Sequence, residues 1–189
     1  MTEGDNDSKT KMVRSAATLF STRGIASTSF SDVLADSGAP RGSIYHHFPE
    51  GKAQLAEAAV SWVAQRVAAY QRAYTGTTTA GALERFISLW RSVVTSSQGG
   101  QGCALAGVTI DTAIADRHLL DITRAGFRSW IDVLADQFAA SGIAIDRARA
   151  IATMVVAGLE GALILCRAEG SAQPLDTVAG ELMRLLPTP

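Results

Sequence analysis

Between Arg41 and Lys52 the chain reads RGSIYHHFPEGK, a dense run of groups suited to contacting a polyanion and reading its edges. Arg41 offers a planar fork that fits a guanine edge or a phosphate, and Lys52 offers a point charge for a phosphate. Gly42 lacks a side chain and so permits close backbone approach, while Ser43, Tyr45 and His46 bring hydroxyl, phenol and imidazole alongside it. Thr28, further upstream, adds a hydroxyl and an N–H. Together these groups can enter a groove of duplex DNA.

Other chemistry is weaker. His46 and His47 are adjacent, and neighbouring helical residues diverge by about 100°, so they do not easily share one metal ion. The chain contains no HxxxH or CxxC pair. No metal and no cofactor are expected. Asp111, Asp116 and His118 can be drawn as a triad on paper, but they fall at an ordinary polar helix end. The glycine-rich GGQG before Cys103 lacks the Lys-Ser/Thr of a phosphate loop. Catalysis is not expected. The rival function, a helical carrier or enzyme working from a body cavity, is separated from DNA binding by the Arg41–Lys52 face. Cys166 lies in an apolar run and reads as a small buried hydrophobe, whereas Cys103, after a glycine loop, keeps a thiol-sensor role open.

The elements that position the Arg41–Lys52 groups follow from spacing. Phe30, Val33 and Leu34 mark the buried stripe of a short helix with Ser29 or Ser31 as its N-cap, and Gly38 stops it. Pro40 suits the first turn of a second helix, whose inward face is Ile44 and Phe48. Gly42 and His46 then face outward together. Upstream, Met12, Ala16, Leu19 and Phe20 form a helical stripe ending at Gly24, and residues 1–7 are expected to be disordered. Downstream, periodicity predicts a long helix over 52–74, a helix carrying Leu83, Phe86, Ile87 and Trp90, a short one over 104–115, and another over 119–141. Two final helices carry Ile151, Met154, Val155, Gly158, Leu159 and Ala162, then Leu175, Val178, Ala179, Leu182, Leu185 and Leu186. No strand alternation is visible.

With 189 residues, 47% apolar and 19% charged, the chain can bury a core. Its net charge of −1 speaks against nucleic acid only until the distribution is examined. From Ser8 to Ala56, six basic residues stand against three acids, and all three lysines lie there. This modest positive field fits DNA attraction strengthened by dimerisation. Two cysteines do not make a secreted disulfide framework. The polar N-terminus lacks a signal-peptide core, and the apolar run 151–166 is interrupted by Glu160 and too short to span a bilayer. A cytoplasmic protein without membrane insertion is expected.

The segment Ala16 to Leu55 resembles the DNA-binding domain of the TetR family of bacterial repressors. The matching residues are Ala17, Phe20, Gly24, Thr28, Val33, Gly38, Gly42, Tyr45, His47, Phe48, Lys52 and Leu55. The wording GAPRGSIYHHFPEGKAQL, with Gly102 and Cys103 later, is similar to the LmrA/YxaF-like multidrug-type subgroup. Leu34 stands where the family usually has a small residue, and Pro40 where it has a Ser or Thr cap. The resemblance implies an all-α TetR-like fold, with a three-helix helix-turn-helix head over 8–54 and a helical ligand-binding and dimerisation body over 55–189. It implies DNA contacts, mostly to phosphates, at Thr28, Arg41, Gly42, Ser43, Tyr45, His46, His47 and Lys52, with Ser29 and Pro40 completing the expected surface. The expected effector pocket comprises Phe86, Trp90, Cys103, Asp111, Phe127, Trp130 and Met154, with Asp111 or Glu160 able to balance a cationic or hydrogen-bonding ligand. The expected dimer interface comprises Ile151, Val155, Gly158, Leu159, Ala162, Val178 and Leu182. The partners are then a roughly palindromic double-stranded operator, a small-molecule effector and a second copy of the chain.

Overall fold

The computed structural model describes residues 3–113 and 116–186, which form nine helices and no strand. In chain order they are α1 (Glu3–Arg23), α2 (Phe30–Ser37), α3 (Ser43–His47), α4 (Lys52–Arg72), α5 (Thr79–Ser96), α6 (Ala104–Asp111), α7 (Arg117–Ala140), α8 (Ile145–Glu169) and α9 (Gln173–Arg184). The all-α expectation holds. Two local details differ from it. α1 already begins at Glu3, within the stretch expected to be disordered, and an Asp7–Lys11 pair at 2.7 Å, four residues apart, supports its polar first turns. α6 ends at Asp111, with Thr112 and Ala113 outside the helix, short of the expected 115; Ile114 and Ala115 lie outside the described residues.

The chain gathers into two compact units, one joining the residues up to Gln65 with Ala104–Gly126, the other joining Arg66–Cys103 with the chain from Phe127 onward. The expected head-to-body boundary between residues 54 and 55 falls inside α4, and α6 packs with α1. Gly107 makes that packing possible, because a Cβ there would sit 2.7 Å from the Phe20 carbonyl oxygen.

In the first unit, Met12, Ala16 and Phe20 of α1, Val33 of α2, Ile44 and Phe48 of the α3 segment and Leu55 of α4 are buried at 1% exposure or less. Ser29 caps α2 with a reciprocal box: its hydroxyl accepts from the Asp32 amide at 3.1 Å, and its own amide donates to Asp32 Oδ2 at 2.8 Å. Gly38, at φ +66°, ends α2 in the left-handed conformation that a side chain disfavours. α3 starts later than its Pro40 suggests. Pro40 instead opens a turn, its carbonyl accepting from the Ser43 amide at 2.9 Å and hydroxyl at 2.6 Å, so α3 begins without a side-chain cap.

The second unit packs α8 on α9 and both against α5. α8 is the one helix among the described residues long and apolar enough to cross a membrane by length and composition. Here it buries nine residues, including Ile151, Val155, Leu159 and Cys166, in the unit's own core. A polar staple closes the far end of α4: Gln71, 1% exposed, donates to the Ala82 carbonyl at 2.9 Å and to Gln137 Oε1 at 2.7 Å. Gln137 returns a bond to the Gln71 carbonyl at 2.8 Å. Replacing Gln71 by Leu leaves Gln137 Oε1 without its donor and removes the side-chain bond to the Ala82 carbonyl, and chemical denaturation should show a loss of about 1–3 kcal/mol.

Candidate DNA-binding face and ligand-binding body

The outward face of α3 forms as its spacing requires. Ile44 and Phe48 point into the core, while Arg41, Gly42, Tyr45 and His46 are exposed. Nothing lies within 4 Å of a Cβ built on Gly42, so the face is open at that point. Tyr45 is 67% exposed and its ring edge rests against Phe30 at 5.7 Å, which orients the phenol without covering it. Arg41 makes no ion pair among the described residues, leaving its guanidinium available. His47 is half-buried and stacks edge-on with both His46 and Phe48, so it supports the face more than it extends it. Ser43 spends its hydroxyl proton on the Pro40 carbonyl, and exposed Pro40 shapes the turn that presents Arg41.

Thr28, expected at the DNA surface, is turned into the fold. It is 1% exposed, its hydroxyl donates to the Gly24 carbonyl at 2.8 Å and its amide to the Ile25 carbonyl at 3.3 Å, so both donors are spent on the turn before α2. Ser29 is exposed, but its hydroxyl and amide are committed to Asp32. Those hydrogen bonds hold the Asp32 carboxyl below its ordinary range. The same turn is gripped from two further elements. Lys52 Nζ donates to the Ala26 carbonyl at 3.4 Å, and Asp111 Oδ2 accepts from the Ala26 amide at 3.1 Å.

Asp111, expected at the effector pocket, is instead tied to this turn. It is the last residue of α6, exposed, and bonded into the α1–α2 turn. Its place at a helix end in sequence carried no signal of this long-range partner. Met154 is also misplaced in the expected pocket: it is 39% exposed on the outer side of α8. The aromatic residues do converge. Trp130 of α7 lies 6.4 Å from Phe86, 5.7 Å from Trp90 and 5.5 Å from Phe127 between ring centres, all in the second unit. Phe86, Trp90 and Trp130 are at most 4% exposed, and Phe127 is half-buried.

Cys103 is buried, is in no disulfide, and is hydrogen-bonded to the carboxyl of Glu160. Glu160 has a buried Oε2 without a hydrogen-bond partner. Desolvation pushes its pKa up to about 7, against the opposing pull of the Cys103 bond. Cys166 is buried too, and desolvation raises its thiol pKa, which makes it a poor nucleophile. No group of three His, Cys, Asp or Glu side chains suited to a metal ion occurs among the described residues.

The expected dimer residues are mostly spent inside the chain. Ile151, Val155, Leu159, Ala162 and Leu182 are at most 5% exposed, and a Cβ on Gly158 would meet Val178 at 3.5 Å and Leu182 at 3.7 Å of the same chain's α9. Val178 is half-buried in that contact. The stripe packs α8 on α9 within one chain. A different apolar seam is exposed on α8: Met154, Ala157, Gly161, Ile164 and Leu165, with Leu185 beyond the end of α9.

Comparison with known proteins gives the class. Residues 13–59 match the family model described as bacterial regulatory proteins, tetR family, and residues 79–181 match that of the transcriptional regulator LmrA/YxaF-like C-terminal domain. The chain belongs to the TetR family of bacterial regulatory proteins, and is a DNA-binding transcriptional regulator, not an enzyme. It is 39% identical over 181 residues to the uncharacterized HTH-type transcriptional regulator Rv0196 of Mycobacterium tuberculosis, covering 93% of this chain and 92% of that one. It is 27% identical over 184 residues to the HTH-type transcriptional regulator LmrA of Bacillus subtilis, covering 95% and 97%. In fold it is similar to a TetR-family regulator from Agrobacterium tumefaciens (TM-score 0.84, 23% identity, 97% and 100% covered). It is also similar to a CifR cysteine mutant complexed with double-strand operator DNA (TM-score 0.78, 16% identity, 94% and 96% covered).

The raised Glu160 pKa fixes the sign of a pH dependence. A carboxyl whose pKa is higher folded than unfolded favours the folded state while protonated, so stability falls as pH rises from the ordinary carboxyl range through about 7 and then levels off. Glu160→Gln, neutral throughout, should match the parent near pH 5 and exceed it at pH 8 by roughly 3 kcal/mol at most, read by denaturant unfolding at the two pH values.

Proposed function

We propose that the chain is a homodimeric repressor that acts in the cytoplasm on a roughly palindromic operator and is released by a small apolar, aromatic effector. The observation that carries the DNA half is the open α3 face, with an uncovered Gly42, an exposed Tyr45 and a guanidinium at Arg41 that no acidic side chain among the described residues neutralises. Arg41 and Lys52 would serve the phosphates or a guanine edge, Tyr45 and His46 the groove, and Ser29, Pro40, Ser43, His47 and Thr28 the geometry that presents them. A single face of this size neutralises few phosphates, so two copies are needed for firm binding.

The exposed seam Met154, Ala157, Gly161, Ile164 and Leu165 supports the second copy. Exposed Leu and Ile at helical spacing beside a glycine with no neighbour suit a close helix pair across a two-fold axis. Two heads related this way read half-sites about 34 Å apart, or a multiple of that. For the effector, the aromatic cluster of Phe86, Trp90, Phe127 and Trp130 supports planar apolar ligands. Cys103 directly precedes α6, and α6 ends at Asp111 on the Ala26 turn, so the chain itself runs from the body to the head support. A ligand that favours the DNA-incompetent arrangement by about 1–3 kcal/mol changes occupancy severalfold or more.

With DNA from beside its own gene, fluorescence anisotropy should show salt-sensitive binding. Arg41→Ala should weaken it by about 1–3 kcal/mol, and Lys52→Ala should lower the salt slope by about one ion. Gly42→Trp should block it without unfolding the chain. Parent-like binding by all three places the DNA elsewhere. Leu165→Arg should give monomers in light scattering with the melting temperature of the monomer fold retained, whereas an unchanged dimer moves the interface off α8.

A further inference from the structure

Glu160 sits on α8 between Val156, 6% exposed and one turn before it, and Leu163, 2% exposed and one turn after it. The Cys103 thiol is hydrogen-bonded to its carboxyl, yet Oε2 is shielded from solvent and has no hydrogen-bond partner among the described residues. A buried acceptor without a donor loses the free energy of its lost hydration and gains nothing in return. Helix formation does not require it, since Leu has at least as good a helix propensity and would fill an apolar surround better. Buried polar atoms left unsatisfied in native structures are few, and those that persist call for a role.

We propose that Glu160 is the effector anchor, its unpartnered oxygen accepting a hydrogen bond from a donor group on an otherwise apolar molecule while Cys103 steadies the carboxyl. This rests on the reading that the second unit takes a small-molecule effector, and names the chemistry of that molecule. Both protonation states of the carboxyl leave acceptor capacity, so a phenolic hydroxyl is received in either, and an ammonium adds charge complementarity with the ionised form. Above the Glu160 pKa of about 7, an anion of the same shape meets a charge that repels it, on an oxygen shielded from solvent. The effector class is therefore a planar apolar body with a hydroxyl or ammonium head, and carboxylates are disfavoured while Glu160 is ionised. Asp111 cannot share this role, because its carboxylate is bonded to the Ala26 amide.

Four naphthalenes of one shape test the assignment: 2-naphthol, 2-naphthylmethylammonium, 2-methylnaphthalene and 2-naphthoate, titrated against tryptophan fluorescence of the full-length protein without DNA. At pH 8 the expected result is binding of the naphthol and the ammonium about tenfold or more tighter than methylnaphthalene, with naphthoate weakest. Glu160→Leu should bind methylnaphthalene at least as well as the parent and lose the preference for either donor. Glu160→Gln, which keeps a neutral acceptor, should retain the preference for naphthol and lose that for the ammonium. Circular dichroism of both variants verifies the fold. A donor preference that survives Glu160→Leu, or equal affinity of all four for the parent, overturns the anchor. In that case release of operator DNA by methylnaphthalene still upholds an effector site in the body. No binding by any naphthalene overturns the anchor and the aromatic-effector reading together.

Discussion

The peptide of Ala26 is held on both sides, its amide by Asp111 of α6 at 3.1 Å and its carbonyl by Lys52 of α4 at 3.4 Å. This is the point on which the N-terminal unit depends, because the Gly24–Thr28 turn sets where α2 begins and hence where α3 is presented. The turn is only possible with glycine at position 24. Its φ is +79°, and a Cβ there would collide with Asp111 Oδ2. Thr28 closes the turn from within through its hydroxyl bond to the Gly24 carbonyl, after which the Ser29–Asp32 box starts α2. Four elements, α1, α2, α4 and α6, thus meet at five residues, and a displacement of α6 acts on the turn through a charged hydrogen bond.

The second unit uses a different constraint. α8 has two apolar faces: one buried against α9 and the unit's core, the other open along Met154, Gly161 and Leu165. A helix that is apolar nearly all round leaves one face uncovered within one small chain, and that face is the one proposed for a second copy. The glycines separate these roles. Gly158 faces Val178 and Leu182 within the chain, whereas Gly161 has nothing near it. Among these apolar surfaces Glu160 is the exception, a carboxyl kept where hydrocarbon would pack more favourably, and its placement beside Cys103 puts polar chemistry at the root of α6.

The head was legible because its signals are local. Ser29, Gly38, Ile44 and Phe48 state a cap, a stop and an inward face within 20 residues, and the outward Gly42/His46 side follows by phase alone. Pro40 misled by three residues because proline suits a turn as well as a first helical position. Thr28 and Asp111 misled for another reason. Each spends its polar atoms on a backbone group, at four residues' distance for Thr28 and 85 for Asp111, and no periodicity reports such a bond. On α8 the two stripes Ile151/Val155/Leu159/Ala162 and Met154/Ala157/Gly161/Leu165 are both apolar, so phase could not say which one turns inward. The aromatic cluster was recoverable, since Phe86 with Trp90 and Phe127 with Trp130 repeat at helical spacing on two helices that must pack.

We infer that the α6 grip on the Ala26 turn is a condition for reading DNA, although Asp111 lies far from the α3 face in sequence. Operator affinity of Asp111→Ala tests it directly. The variant should keep its helical content and its α3 face, yet bind the operator about tenfold more weakly, as the loss of one charge-assisted hydrogen bond implies. Parent-like affinity in the folded Asp111→Ala protein would contradict the claim, for it would mean that the turn holds its shape without α6.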